Sequence, residues 1–270
     1  YKMKIVEGKK IASLLKESLK KIIKEKNLQK SLAIFYVGEN PVIDNFINLK
    51  KKFGEDVGVR VRVFKYEETT TTQKLVKEIK NISEDFDGVI VQLPLPKHID
   101  KKKALNAVTP EKDVDVLSDK KYKKFAKGDF SFFPPVAGAI SEIFNFYGVS
   151  LANKNIVVVG QGLLVGGPVF DWLKALKLKP KIVNEKTKNK NEIYKKADIV
   201  ISGVGQASII KKSFVKKGVV LIDAGSSSED GQIVGDISKD CKDKASLFSM
   251  VPGGVGPITV AILFKNILYN

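Results

Sequence analysis

Cysteine, histidine and tryptophan each occur once in these 270 residues, and methionine twice. The lone Cys241 excludes an intramolecular disulfide and a cysteine-rich zinc site, which fits a reducing, cytoplasmic setting. The lone His98 argues against a histidine-based metal centre or a Ser-His-Asp triad and reads as an ordinary loop residue. No bound metal is expected. No apolar run approaches the ~20 residues that cross a bilayer. The N-terminus shows no charged-then-apolar leader, so neither membrane insertion nor a signal peptide is expected. Acidic residues are scarce too: 30 stand against 47 basic ones, a formal charge of +17. Nearly all of the excess is lysine, scattered at 50–52, 101–103 and within 120–124. No arginine-rich arm, zinc finger or RNP-type aromatic strand accompanies it, so no nucleic-acid partner is expected. The plain reading is a solvated lysine coat.

What is present begins with 43% hydrophobic residues, enough for one large or two ordinary cores. The most informative stretch is Asn155 to Trp172, NIVVVGQGLLVGGPVFDW. Ile156 to Val159 is a β-branched run suited to a strand buried on both faces. Gly160, Gly162, Gly166 and Gly167 crowd the turn after it, and Val169 to Leu178 suits a helix. A strand, a glycine turn and a helix N-terminus make an anion site, because free N–H groups and the helix dipole both favour phosphate. The spacing is G-x-G-x-x-x-G, one residue longer than the common dinucleotide fingerprint. A tight turn inside an ordinary α/β domain would leave the same trace.

The chain before that stretch alternates helix and strand. Residues 8 to 26 carry Ile11, Leu14, Leu15, Leu19, Ile22 and Ile23 at helical spacing. Leu32 to Val37 reads as a strand, Gly38 to Pro41 as a turn, and Val42 to Gly54 as a helix ending near Gly54 or Gly58. Val59 to Tyr66 is a strand, Gln73 to Ile82 a helix capped from Thr69 to Thr72, and Gly88 to Leu93 a buried strand. This rhythm implies a parallel sheet with helices packed on it. Phe46 and Lys50 share a helix face, where an ammonium can lie beside a flat substrate. If partly desolvated, it can trade protons near neutrality. A solvated basic face is the alternative. Gln92 lies at the carboxyl end of its strand, where ligands of open α/β sheets bind. Asp113 and Asp115 place two carboxylates in a later loop. In the second half, Ala137 to Phe146 reads as a helix and Ile258 to Tyr269 as the last one. Strands at Lys181 to Asn184, Ala197 to Ser202 and Val219 to Ile222 suit a Rossmann-like domain.

Six segments then share one resemblance. VGENP (37–41), the helix reaching Lys50-Lys51-Lys52, DGVIVQLPLP (87–96), PEKDVD (110–115), the glycine turn (160–168) and VPGGVGPIT (251–259) run in order through the chain. Together they resemble the bifunctional methylenetetrahydrofolate dehydrogenase/methenyltetrahydrofolate cyclohydrolase (FolD) family over essentially its whole length. The resemblance implies an α/β protein of two domains with a cleft between them. Residues 1–128 plus 257–270 would form a folate-binding catalytic domain, and 129–256 a Rossmann-like NAD(P)-binding domain. It implies oxidation of 5,10-methylenetetrahydrofolate with NAD(P)+, then hydrolysis of the methenyl product to 10-formyltetrahydrofolate. A divergent homologue keeping only cyclohydrolase activity or folate binding is the alternative. Lys50 would be the general acid/base, Gln92 its hydrogen-bonding neighbour, and Asp115 the acceptor for the amino-pyrimidine edge. Phe46, Leu93, Pro94, Pro252, Gly253 and Gly254 would line the substrate. Gly160, Gln161, Gly162, Val165, Gly166, Glu185, Gly203, Val204, Gly205 and Thr259 would hold the cofactor. A cytoplasmic homodimer serving one-carbon and purine metabolism is implied as well.

The chain departs from the family in places that bear on chemistry. Phe46 replaces a usual Tyr, which keeps the ring and drops a hydroxyl. Residues 134–137 read PPVA where PCTP is common, and 115–117 read DVL where DGF is usual. Gly162 replaces a usual serine, and Gly167 stands where many members carry an arginine that grips the 2′-phosphate of NADP. Glu185, about 25 residues past Gly160, can accept both ribose hydroxyls of NAD and would repel a 2′-phosphate. Lys186 and Lys188 offset part of that repulsion. NAD is therefore favoured over NADP.

Overall fold

The structure is a computed structural model that describes residues 3–229 and 232–269. Residues 1, 2 and 270, at the ends of the expected domain ranges, lie outside them. The elements begin with β1 (Lys4–Ile5), α1 (Gly8–Glu25), β2 (Lys30–Val37), α2 (Pro41–Val57), β3 (Val59–Tyr66) and α3 (Thr72–Ser83). Next come β4 (Gly88–Val91), α4 (Lys101–Asn106), α5 (Asp119–Ala126), α6 (Pro135–Tyr147), β5 (Ile156–Val159) and α7 (Gly166–Ala175). Then follow β6 (Lys181–Val183), α8 (Lys190–Lys196), β7 (Ile199–Ser202), β8 (Val219–Asp223) and the hairpin β9 (Ser227–Glu229) with β10 (Gln232–Val234). The last are β11 (Ala245–Ser249) and α9 (Gly256–Leu268).

The chain divides into two units. Ser13–Pro135 with the chain from Val260 onward forms one, which carries Lys50. Its sheet is parallel in the order β3-β2-β4. The central β2 is an unbroken apolar run because both its faces are covered. Leu32, Ile34 and Tyr36 point to one face, against Ile43 and Ile47 of α2 and Leu263, Phe264 and Ile267 of α9. Ala33, Phe35 and Val37 point to the other, against Leu75 and Ile79 of α3 and Ala104 and Leu105 of α4. The edge strand β3 instead alternates Val59, Arg60, Val61, Arg62. Helix α2 starts where the Asn40 side chain accepts the N–H groups of Val42 and Ile43, with Pro41 in the first turn. It stops at Gly58, whose φ of +85° suits the left-handed cap.

The other unit joins the chain up to Ala12 to Val136–Thr259. Its six-stranded sheet is parallel throughout, in the order β1-β11-β8-β7-β5-β6, while β9 and β10 pair antiparallel apart from it. The connections leave β5 first toward β6 and then toward β7, so the order reverses beside β5. That reversal marks the ligand side of a doubly wound sheet, at the strands' carboxyl ends.

Several boundaries differ from the sequence reading. The assignment of residues 1–128 to one domain gives way at its start, because β1 pairs in parallel with β11 (Lys4 beside Leu247, Ile5 beside Phe248). Residues 257–259 likewise fall with the second unit. Strand β4 stops at Val91, before Gln92 and Leu93, as the chain turns out toward Pro94. Helix α7 opens at Gly166 rather than Val169, so two of the crowded glycines form its first turn. The short elements β1, α4, α5, α8, β9, β10 and β11 carried too little periodicity to be read.

Candidate active site

In the first unit the buried stripe of α2 runs Ile43, Ile47, Lys50, Gly54, Val57. This 4-3-4-3 spacing is the core-facing signature of a helix, and Lys50 occupies a position where apolar residues otherwise stand. Lys51 and Lys52 are exposed. Burial pushes the Lys50 amine below the usual lysine range, and the nearby Asp115 partly offsets that. Its Nζ donates to Gln92 Oε1 at 2.7 Å. Gln92 is fixed in turn: its Nε2 donates to Leu93 O at 2.9 Å, and its backbone N–H donates to Phe35 O at 2.9 Å. The Leu93–Pro94 peptide is cis. Phe46, one turn before Lys50, leaves its ring half exposed at 49%.

Asp115 comes to this place on a loop pinned from both sides. Val89 N–H donates to Lys112 O, and Asp113 makes a parallel bridge to Val89, which ties the loop to the edge of β4. The Val114 side chain is fully buried, and Asn266 Nδ2 donates to Val114 O at 2.8 Å. Asn266 also clamps Phe133, donating to its carbonyl at 2.7 Å and accepting from its N–H at 3.2 Å. Beyond Asp115, Val116 holds φ at +58° while fully buried. A β-branched residue in that region is an outlier kept only by its surroundings. Desolvation lifts the Asp115 carboxyl to about 6; Lys50 opposes that and Asp113 adds to it. The Asp115 carboxylate accepts no hydrogen bond among the described residues, which leaves both oxygens open to a ligand's donors.

In the second unit Gly160 ends β5 with φ +92°. Gly166 opens α7 so close to it that a Cβ would sit 2.1 Å from Gly160 O. Only glycine permits that approach. Val165 precedes the helix and gives no side-chain cap; in the first turn of α7, Gly167 N–H donates to Gly162 O at 3.0 Å and Pro168 has no N–H to place. Gly203 packs against Val165, and Gly160 against Val204. Gly162 is exposed with nothing close to its Cβ position. Gln161 accepts from Asn184 Nδ2 at 3.2 Å, linking the ends of β5 and β6. Glu185, the next residue, is exposed. These features fit a dinucleotide: a cradle that a Cβ would fill, at the N-terminus of a helix. Elsewhere in this unit, Gly254 N–H donates to Met250 O and Gly253 O accepts from Gly8 N–H. The Val251–Pro252 peptide is cis. Thr259 Oγ1 donates to Gly256 O within α9.

Two residues that matter here escaped the sequence reading. Asn266 is one polar letter in an apolar helix. Asp236 sits behind the 203–206 turn, accepting the Ser202 hydroxyl at 2.6 Å and the N–H groups of Val204, Gly205 and Gln206 at 2.7, 2.9 and 2.9 Å. It shapes the 203–206 turn as a ring of donors around one carboxylate. The only signal for it was an acid between the apolar stretches of 232–237.

Two family models match: the tetrahydrofolate dehydrogenase/cyclohydrolase catalytic domain over residues 6–115, and the NAD(P)-binding domain of the same family over 134–270. The chain belongs to the tetrahydrofolate dehydrogenase/cyclohydrolase family. It is 38% identical to the bifunctional protein FolD of Nautilia profundicola, with 98% of this chain and 95% of the relative covered. Among solved structures it resembles the bifunctional FolD of Campylobacter jejuni, with TM-score 0.94 and 30% identity over 98% of this chain and 97% of that one. It also resembles FolD of Trypanosoma brucei, solved with NADP and an inhibitor, with TM-score 0.93 and 28% identity over 99% and 96%. The fold is thus the two-domain α/β fold of FolD, and both a catalytic and an NAD(P)-binding domain are present.

Proposed function

We infer that the chain carries both activities of its family: oxidation of 5,10-methylenetetrahydrofolate with NAD(P)+, and hydrolysis of the methenyl product to 10-formyltetrahydrofolate. The observation that carries this reading is the buried Lys50 ammonium 2.7 Å from Gln92, beside a carboxylate with no hydrogen bond of its own among the described residues. The match of both family domains favours it over a homologue that keeps folate binding alone. Asp115 takes the donor pair of the amino-pyrimidine edge, Phe46 stacks on the ring, and Leu93 and Pro94 line the folate. Gly160, Gln161, Gly162, Val165, Gly166, Gly203, Val204, Gly205 and Thr259 hold the dinucleotide. Bound there, the nicotinamide ring accepts the hydride. The protein's part in that step is alignment, since no base is needed. Hydrolysis needs proton transfer, and Lys50 supplies it. Its lowered proton affinity and the raised one of Asp115 bring both groups toward neutrality, where an acid and a base can exchange roles. Gln92 accepts from the ammonium and holds it in place.

Lys50→Met should abolish hydrolysis of methenyltetrahydrofolate while leaving the fold intact. Retention of more than a few per cent of the rate would overturn the role of Lys50.

The cofactor is NAD in preference to NADP. Glu185 follows the end of β6 and presents a carboxylate toward solvent, and Gly167 offers no side chain to a 2′-phosphate. The preference should be about tenfold in kcat/KM, and Glu185→Ser should narrow it. Equal turnover with NADP at low micromolar concentration would remove the preference. A cytoplasmic homodimer whose 10-formyl product feeds purine synthesis follows from the family resemblance, and light scattering on the purified chain checks the dimer.

A further inference from the structure

The chain after β7, Ser202-Gly203-Val204-Gly205-Gln206, carries the marks of a second phosphate-binding turn. It holds two glycines, Gly205 with φ +79°, at the carboxyl end of the strand that pairs with β5. Its N–H groups are already committed. Those of Val204, Gly205 and Gln206 donate in succession to the Asp236 carboxylate at 2.7, 2.9 and 2.9 Å, and the Ser202 hydroxyl donates to it at 2.6 Å. Asp236 and Ser202 are fully buried. Four donors on two oxygens suit a carboxylate, which only accepts. The chain's own anion therefore fills the nest where a phosphate would otherwise sit. Asp236 is itself held. Its N–H donates to Asp223 Oδ1 at 3.1 Å, its carbonyl accepts from Ile210 N–H at 3.1 Å, and the next N–H, of Ile237, donates to Asp223 Oδ2 at 2.8 Å. Glycine lets both acids in: a Cβ on Gly225 would collide with Asp236 Oδ1, and one on Gly235 with Asp223 Oδ2. The same turn also meets the glycine cradle between β5 and α7. A Cβ on Gly203 would collide with Val165 Cγ1, and Val204 Cγ2 lies 3.1 Å from where a Cβ of Gly160 would stand.

We propose that Asp236 is a positioning residue for the dinucleotide: as an internal anion it draws in the 203–206 turn, which seats Gly203 against Val165 and Val204 against Gly160 and so sets one wall of the glycine cradle. The inference rests on the placing of the dinucleotide in that cradle, given above. It divides the work between two glycine turns that look alike in sequence. The N–H groups of residues 204–206 serve Asp236, so the turn has none of these to offer a phosphate. The pyrophosphate falls to the Gly160–Gly166 turn at the start of α7. Beside it the second turn presents the Val204 side chain, 42% exposed, as an apolar wall. The arrangement depends on charge as well as shape. In Asp236→Asn an NH2 group replaces one oxygen and faces N–H donors that it cannot accept. Whichever way the amide points, at least one backbone N–H of the turn loses its partner. A buried donor without a partner is costly, so the turn moves off the carboxamide and away from the cradle.

The test joins two measurements on the full-length protein: binding of NAD+ by titration calorimetry, and amide hydrogen exchange over residues 203–208 without cofactor. Asp236→Asn should speed exchange at Val204, Gly205 and Gln206 and raise the Kd for NAD+ about tenfold. In steady-state oxidation the KM for NAD+ should rise with the Kd, while kcat at saturating NAD+ changes little. Unmoved exchange would show that the carboxylate does not hold the turn. An unmoved Kd would show that the turn does not set the cradle. A kcat that falls as far as the affinity would mean general damage to the unit. Any of the three overturns the proposal. If Asp236→Asn does not fold, Ser202→Ala decides, since it removes one donor and keeps the charge. Its Kd should rise about threefold with faster exchange at 204–206, and an unmoved Kd overturns the inference. Gly166→Ala is run alongside. If it leaves NAD+ affinity intact, the placing of the cofactor fails, and this inference with it. If it weakens NAD+ while Asp236→Asn does not, only this inference fails.

Discussion

Lys50 sits on a stripe where Ile43 and Ile47 precede it and Gly54 and Val57 follow. The sequence paired it only with Phe46 on one helix face and left a solvated basic face open, and its inward place on the apolar stripe is visible only in the structure. What the spacing did not show is how a cation survives there, and that depends on partners far away in the chain. Gln92 comes from the end of β4, Asp115 from a loop, and Asn266 from α9 holds that loop. Long-range partners leave no periodic trace, which is why Asn266 went unread. Its amide satisfies two buried carbonyls at once, Val114 O and Phe133 O. Asn266→Leu keeps the shape and removes both donors, at a cost of about 1–3 kcal/mol. The melting temperature should drop by several degrees. KM for folate should rise, while affinity for the dinucleotide stays the same. A thermal melt and steady-state kinetics check this, and wild-type values in both would show that the clamp is dispensable.

At the scale of elements, two strands were read to the residue. Ile156–Val159, buried throughout, matches its expected limits because an apolar run bounded by glycine or charge has sharp edges, and the edge strand Val59–Tyr66 matches through its alternation of Val and Arg after the Gly58 stop. The helix α7 was placed three residues late because Gly166, Gly167 and Pro168 look like turn residues. Proline is at home in a first helical turn, and here glycine is present for closeness. That closeness makes a prediction. Gly166→Ala puts a methyl 2.1 Å from Gly160 O, so β5 and α7 must separate. Overpacking of this kind costs about 1–3 kcal/mol. KM for the dinucleotide should rise at least about tenfold. Hydrolysis of methenyltetrahydrofolate supplied directly should continue at near the wild-type rate. Equal loss of both activities would mean that the change unfolds more than the cradle.

At the scale of the whole molecule, 47 basic residues against 30 acidic ones give a field that an acidic substrate feels before it makes contact. Folates carrying several glutamates have several carboxylates. Their KM should rise with salt more steeply than that of the monoglutamate, because screening removes long-range attraction first. Parallel titrations from low to physiological salt check this, and identical slopes for the two substrates would show that the lysine coat does not act on the tail.

The unit that carries Lys50 is not made of neighbouring sequence alone. Leu263, Phe264 and Ile267 of α9 belong to the same core as Leu32, Ile34 and Tyr36. On the ribosome those three arrive long after the sheet they cover. Until then the part of the sheet's apolar face that α2 does not cover waits without its lid. The order of synthesis therefore gives this unit a long-lived sticky stage, and its yield in a cell should depend on chaperones that shield such surfaces more than on its final stability.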